Sequence, residues 1–194
     1  AEAGRQRIAA AGLADRVRIL QTDYRELDGR FDAVASVGMF EHVGPDDLGS
    51  YFAVAHRLTA DGGLFLTHGI VTGDAAHVRT GAERTFVSSY VFPDGGLVPA
   101  WRAVRHLEAA GFELLDVEQL RPHYALTLRA WLARLEQHRG AALEAVGEAR
   151  YRAWRAYTAA SAVSFSSGAL GVVQILGSKG HPAPLGRDWM TPVT

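Results

Sequence analysis

The spacing of apolar and polar positions changes several times along the chain, and each change marks an element. Residues 2–12 set a charged face of Glu2, Arg5 and Arg7 against Ile8 and Ala9. This predicts a helix closed by Gly12, since glycine tolerates the left-handed backbone of helix ends. Val17-Arg18-Ile19-Leu20 is a short β-branched run and residues 31–37 (FDAVASV) are a more continuous apolar one. Both are expected as strands buried in a sheet. Pro45-Asp46-Asp47 then starts a helix, because proline suits the first turn and acids favour its positive end. Leu48, Tyr51, Phe52, Ala55 and Leu58 form its apolar face, and Asp61-Gly62-Gly63 reads as its stop.

Residues 64–71 (LFLTHGIV) are the third apolar run, and strands alternating with helices imply βαβ units in a mostly parallel, doubly wound α/β sheet. Residues 72–99 lose periodicity, with Gly81, Gly95 and Gly96 set among Phe86, Tyr90 and Phe92. A loop of this length is expected to act as a lid. A helix over 101–110 stops at Gly111, and residues 112–118 alternate as a strand whose wet side carries its acids. Helical spacing returns over 125–139, with Leu128, Trp131, Leu132 and Leu135, and over 142–164, with Val146, Tyr151, Trp154 and Tyr157. These two helices are expected as an insertion at about 125–165. A last strand at 171–176 precedes a surface tail over 179–194, so the domain is expected over 1–178.

Composition narrows the function. A chain of 194 residues fits one domain with its own core. Its 48% hydrophobic and 21% charged residues, with a formal net charge of −1, exclude a disordered chain, a coiled coil and a basic nucleic-acid binder. The absence of Cys excludes disulfides, a thiolate zinc site and a thiol nucleophile within these residues, and fits a reducing, cytoplasmic interior. Ser161, Ser164, Ser166, Ser167 and Gly168 interrupt the most apolar stretch, so no spanning helix is predicted. The chain starts without Met and already in a helical pattern, and an upstream part is expected.

In doubly wound sheets, ligands lie beyond the carboxyl ends of the parallel strands. Asp23-Tyr24, Gly38 to His42, and His68 fall at three such ends. Asp23 reads either as a turn residue or as a ligand-contacting carboxylate. Glu41-His42 reads as a helix cap or an acid/base pair. A metal site is disfavoured, since the HExxH order is absent and no second His follows at helical spacing. His68, inside an apolar run, reads as a core histidine or as a ligand.

Four segments, in order, bear a family pattern: Val37-Gly38-Met39-Phe40-Glu41-His42-Val43-Gly44, Leu66-Thr67-His68-Gly69-Ile70, residues 90–99 (YVFPDGGLVP) and residues 120–128 (LRPHYALTL). They resemble the cyclopropane fatty acid synthase family, with matching spacing as far as about Leu176. The resemblance implies a Rossmann-like class I methyltransferase sheet, mostly parallel with an antiparallel last strand. It implies S-adenosyl-L-methionine (SAM) and bicarbonate as cofactors and an unsaturated acyl phospholipid or acyl chain as substrate. The alkene would attack the sulfonium methyl, and the bicarbonate would take a proton from the resulting carbocation to leave a cyclopropane or a methyl branch. Glu41, His68 and Tyr124 match the bicarbonate-binding side chains, and the Ile70 backbone matches a further contact. Asp23 and Tyr24 match the adenine border, Val37 and Gly38 line the sulfonium end, and His42 lies near the cofactor.

The sequence also departs from the family. The glycine-rich turn after the first strand, the acid ending the second and the upstream bicarbonate-contacting Cys are not in these residues. Gly69 stands where relatives usually carry Thr, and Thr67 where they carry Leu. A methyltransferase of a soluble metabolite on the same scaffold, and a lipid- or partner-binding remnant, are the competing readings. For a lipid substrate, peripheral membrane contact is expected through the 72–99 loop and through the insertion around Trp131, Arg134, Trp154 and Arg155. Association of the chain with itself stays open.

Overall fold

Strand pairing organises the chain around four strands in a computed structural model that describes residues 1–73, Tyr90 and 96–180. Helix α1 (Glu2–Ala10) and a 3-10 turn (Tyr24–Glu26) precede β1 (Phe31–Val37), α2 (Phe40–Val43), α3 (Leu48–Leu58) and β2 (Thr59–Thr72). Then follow α4 (Ala100–Ala109), β3 (Glu113–Gln119), α5 (Arg121–Gln137), α6 (Arg139–Ser167) and β4 (Leu170–Ser178). The sheet order is β1-β2-β4-β3. β1 pairs parallel with β2, and β4 runs antiparallel between β2 and β3, so three of the four strands point the same way.

The period-2 alternation of β2 explains the layers. Phe65 and Val71 turn to the face covered by α3 and α4, where Leu48, Tyr51, Phe52, Leu107, Phe112 and Ile175 are also buried. Phe65 stacks on Phe112 at 5.1 Å between ring centroids. All five apolar positions read from the α3 pattern are buried, and each large one stabilises the fold by about 1.5–3 kcal/mol. Ile70 and its partner Val172 turn to the opposite face. There they join Ala125, Leu128, Ala162 and Phe165 and seat the α5–α6 hairpin.

Several expectations need correction. Residues 17–20 form no strand: Val17 and Leu20 are exposed, and no described strand offers them a ladder. A β-branched run becomes a strand only where a neighbour supplies N–H and C=O groups. Among the described strands β1 is outermost on its side of the sheet, and Phe31 and Val37 are exposed rather than buried. Asp61-Gly62-Gly63 does not stop α3, which ends at Leu58; it forms the irregular start of β2, where Gly62 at φ 78° donates its N–H to the Lys179 carbonyl. Helix α5 starts at Arg121 rather than Ala125, because Pro122 fits a first turn. Helix α6 is broken at Gly147, whose φ of 75° is non-helical. The expected lid over 72–99 and the tail over 179–194 lie largely outside the described residues.

Candidate functional site

The site grows from the turn after β1. Gly38, at φ 63°, takes a left-handed conformation that few side chains tolerate, and its N–H donates to the His68 carbonyl at 2.8 Å. That bond ties the end of β1 to β2, where Val37 is already in register with His68. The chain then enters α2, whose single turn buries Phe40 and Glu41.

Glu41 is the unusual residue. A carboxylate is rarely this buried without a cation or a full set of donors, and Glu41 is only 6% exposed. Its Oε1 accepts the Ile70 N–H over a long 3.3 Å. Its Oε2 has no partner among the described residues. The carboxylate lies directly over Gly69: a Cβ there would stand 2.6 Å from Oε2 and 2.3 Å from Cε1 of Phe40. Glycine at 69 is therefore required by space rather than by backbone angle.

Two further buried polar atoms, His68 Nδ1 and Thr72 Oγ1, also lack partners among the described residues, and Ser36 Oγ has only the Tyr51 hydroxyl, which Thr67 Oγ1 shares. All sit at or near the carboxyl ends of β1 and β2. Orphaned buried polar atoms are costly, and their concentration here marks the rim as a ligand site. Ser36 and Thr72 did not stand out in the sequence, where they read as single polar positions in apolar runs. Tyr124 approaches from α5, half-buried against Phe165 at 5.1 Å and in the same apolar cluster as Ile70. Burial pushes its phenol up, with smaller contributions from Tyr157 and Glu41, so Tyr124 stays protonated as a donor. Glu41 is thus joined to the Ile70 amide and Tyr124 packs in the same cluster as the Ile70 side chain, whereas His68 is linked to the turn through its backbone carbonyl.

The model of the mycolic acid cyclopropane synthetase family matches residues 1–175. The chain belongs to this family. It is 44% identical over 182 residues to a probable fatty acid methyltransferase of Pseudomonas putida, covering 91% of this chain and 45% of that protein. It is 40% identical over 173 residues to the tuberculostearic acid methyltransferase of Mycobacterium tuberculosis, covering 88% and 40%. The chain thus spans under half the length of these two relatives. Among solved structures it superposes on the mycolic acid cyclopropane synthase CmaA1 complexed with SAH and CTAB, at TM-score 0.74 and 26% identity, covering 87% of this chain and 64% of that one. The sheet is that of the SAM-dependent methyltransferases.

The cofactor-side expectations for a member of this family divide in two. Tyr24 and His42 line one cavity of about 330 Å³ together with Arg25, Met39, Val43, Asp47 and Ser50. Tyr24 also packs edge-on against Tyr51 at 6.0 Å. Val37 and Gly38 do not line this cavity; they precede Met39, which does. Asp23 is engaged elsewhere: its carboxylate caps the 3-10 turn and accepts the Arg25 amide at 2.9 Å and the Arg25 guanidinium at 2.9 and 2.6 Å.

Proposed function

We propose that the protein containing this chain transfers a methyl group from SAM to the double bond of an unsaturated fatty acyl chain, leaving a cyclopropane or a methyl branch. The observation that carries this reading is Glu41, a buried carboxylate with one oxygen on the Ile70 amide and the other without a partner. Residues 1–178 are read as part of one methyltransferase domain, with the α5–α6 hairpin as its insertion and an acyl phospholipid at the membrane's cytoplasmic face as substrate.

When bound, SAM supplies an electrophilic methyl on a sulfonium. The residues present suit its adenosine side, where Tyr24 and His42 border the cavity and would hold the cofactor, with Val37 and Gly38 in the turn before Met39 on its sulfonium side as the family resemblance implies. They also suit bicarbonate. Glu41 Oε2 would accept its hydroxyl proton, and the Tyr124 hydroxyl and His68 Nδ1 would fix its other oxygens, while the Ile70 amide, whose N–H goes to Glu41 Oε1, holds the carboxylate in place. Tyr124 as a donor and Glu41 as an acceptor hold that base in one orientation. The apolar residues around them, Phe40, Ile70 and Phe165, exclude water from an electron-poor acyl chain. Proton loss from the transferred methyl closes a ring, and loss from a neighbouring carbon leaves a branched alkene that a separate hydride donor must reduce to give a saturated methyl branch.

The test is to incubate the whole protein with methyl-labelled SAM and a monounsaturated phospholipid. Label is expected in the acyl chain. Label found only on a soluble amine or hydroxyl compound overturns the lipid reading in favour of a metabolite methyltransferase.

A further inference from the structure

The α5–α6 hairpin carries a charge and ring pattern that the site does not use. Residues 121–167 hold seven arginines against three glutamates, on a chain whose formal net charge is −1. Four of the arginines are engaged. Arg121 donates to the Phe165 and Ser166 carbonyls, Arg129 to Ser166 Oγ and Arg155 to Glu136, while Arg139 lies over the Tyr151 ring at 5.8 Å. Arg134 and Arg150 are exposed and make no ion pair among the described residues. Each shares a helix face with an exposed tryptophan: Trp131 and Arg134 are three apart on α5, and Arg150 and Trp154 are four apart on α6. Trp131 and Trp154 are 48% and 46% exposed.

These tryptophans connect with the site. The Trp131 ring lies 6.5 Å from that of Tyr124, and the Trp154 ring 5.5 Å from that of Tyr157. Tyr157 in turn is near enough to Tyr124 to act on its phenol. Indole rings with an apolar body and a polar edge, flanked by unpaired arginines, match the boundary between acyl chains and anionic headgroups. No described helix is long and apolar enough to cross a membrane.

We infer that this hairpin is the surface on which the protein lies against an anionic phospholipid bilayer. Trp131 and Trp154 enter the acyl boundary, Arg134 and Arg150 meet the phosphates, and the acyl chain reaches Tyr124 along the aromatic side chains. The inference rests on the lipid reading above, and its test separates the two. The whole protein is sedimented with vesicles of phosphatidylcholine with and without phosphatidylglycerol. Binding is expected only with the anionic lipid and weakens with salt. Arg134→Gln with Arg150→Gln lowers partitioning by roughly 20–30-fold, since each basic residue near the surface contributes about 5-fold. Arg7→Gln with Arg16→Gln, which removes the same charge outside the hairpin, changes it far less. Trp131→Ala with Trp154→Ala abolishes fluorescence quenching by brominated lipid.

Absence of vesicle binding at low ionic strength overturns the inference, as does an equal loss from the two arginine pairs. So does unchanged vesicle binding in the hairpin variants with loss of binding to an acidic acyl carrier protein. Methyl transfer to a detergent-dispersed acyl substrate is measured in parallel and is expected to survive Arg134→Gln with Arg150→Gln. If no acyl transfer occurs while vesicle binding behaves as stated, the proposed function fails and the surface stands.

Discussion

Asp23 and Glu41 both follow an apolar run, and in the sequence both read as an acid at a strand end. In the fold, the Asp23 carboxylate stays within its own turn. The Arg25 guanidinium and amide bond it and hold it down to about 2, so it is charged and occupied. Glu41 makes no ion pair among the described residues; its carboxylate is buried over Gly69, and one oxygen is left without a described partner. The contrast teaches that what marks a ligand site is the unmet hydrogen-bonding capacity of a buried group rather than the acid itself. A locally satisfied carboxylate at the surface stabilises a turn, whereas a buried and half-satisfied one is retained at a cost that function must justify.

The comparison breaks most sharply at Glu41. Glu41→Gln keeps shape but replaces an acceptor by a donor. We expect turnover of the whole protein to fall by roughly 10²–10⁴ while SAM binding, read by calorimetry, persists. Unchanged turnover would reduce Glu41 to a structural residue like Asp23. Tyr124→Phe removes the donor that faces the same group. A hydrogen bond to a charged partner contributes about 1.5–3 kcal/mol, so a loss of roughly 10–10² in turnover is expected, with the fold intact by circular dichroism. Equal activity in the two proteins would remove Tyr124 from the site.

Gly69→Ala sharpens the steric side. Its Cβ would meet Phe40, which is 1% exposed and cannot turn aside. Overpacking of this kind destabilises by about 1–3 kcal/mol, to be read from denaturant midpoints. If the methyl also displaces Glu41, Gly69→Ala should lower turnover in the native background and add little in Glu41→Gln, since the two changes then act on one group. Full additivity of the two losses would show that Gly69 serves packing alone.

The smallest effect is expected at Asp23. Its folded-state pKa lies below the ordinary 3.8, so its contribution is present above about pH 4 and is lost as pH falls toward about 2. Asp23→Asn should therefore melt slightly below the native protein at neutral pH, with the difference vanishing in that acid window and with turnover nearly unchanged. A collapse of SAM binding in Asp23→Asn would instead put the carboxylate on the cofactor.

Much of this was legible in the residues themselves. The apolar stripe of α3 and the alternation of β2 are local periodicities, and a period that recurs within a few residues needs no partner to be read. The turn at Gly38 was legible for the same reason, as was the family pattern around Glu41, His68 and Tyr124, whereas β3, read as carrying its acids on a wet side, holds Asp116 and Glu118 half-buried and exposes Val117. What the tertiary structure alone decided depends on groups far apart in the chain. The 17–20 run pairs with no described strand, and β4 lies antiparallel between β2 and β3 although it follows both of them in the sequence. The Glu41 carboxylate meets an amide 29 residues away, and only that packing leaves its second oxygen buried over Gly69. Periodicity reports which face of an element is apolar. Pairing, burial and the hydrogen bonds left unmade are properties of what arrives opposite that face, and those are settled when the whole chain packs.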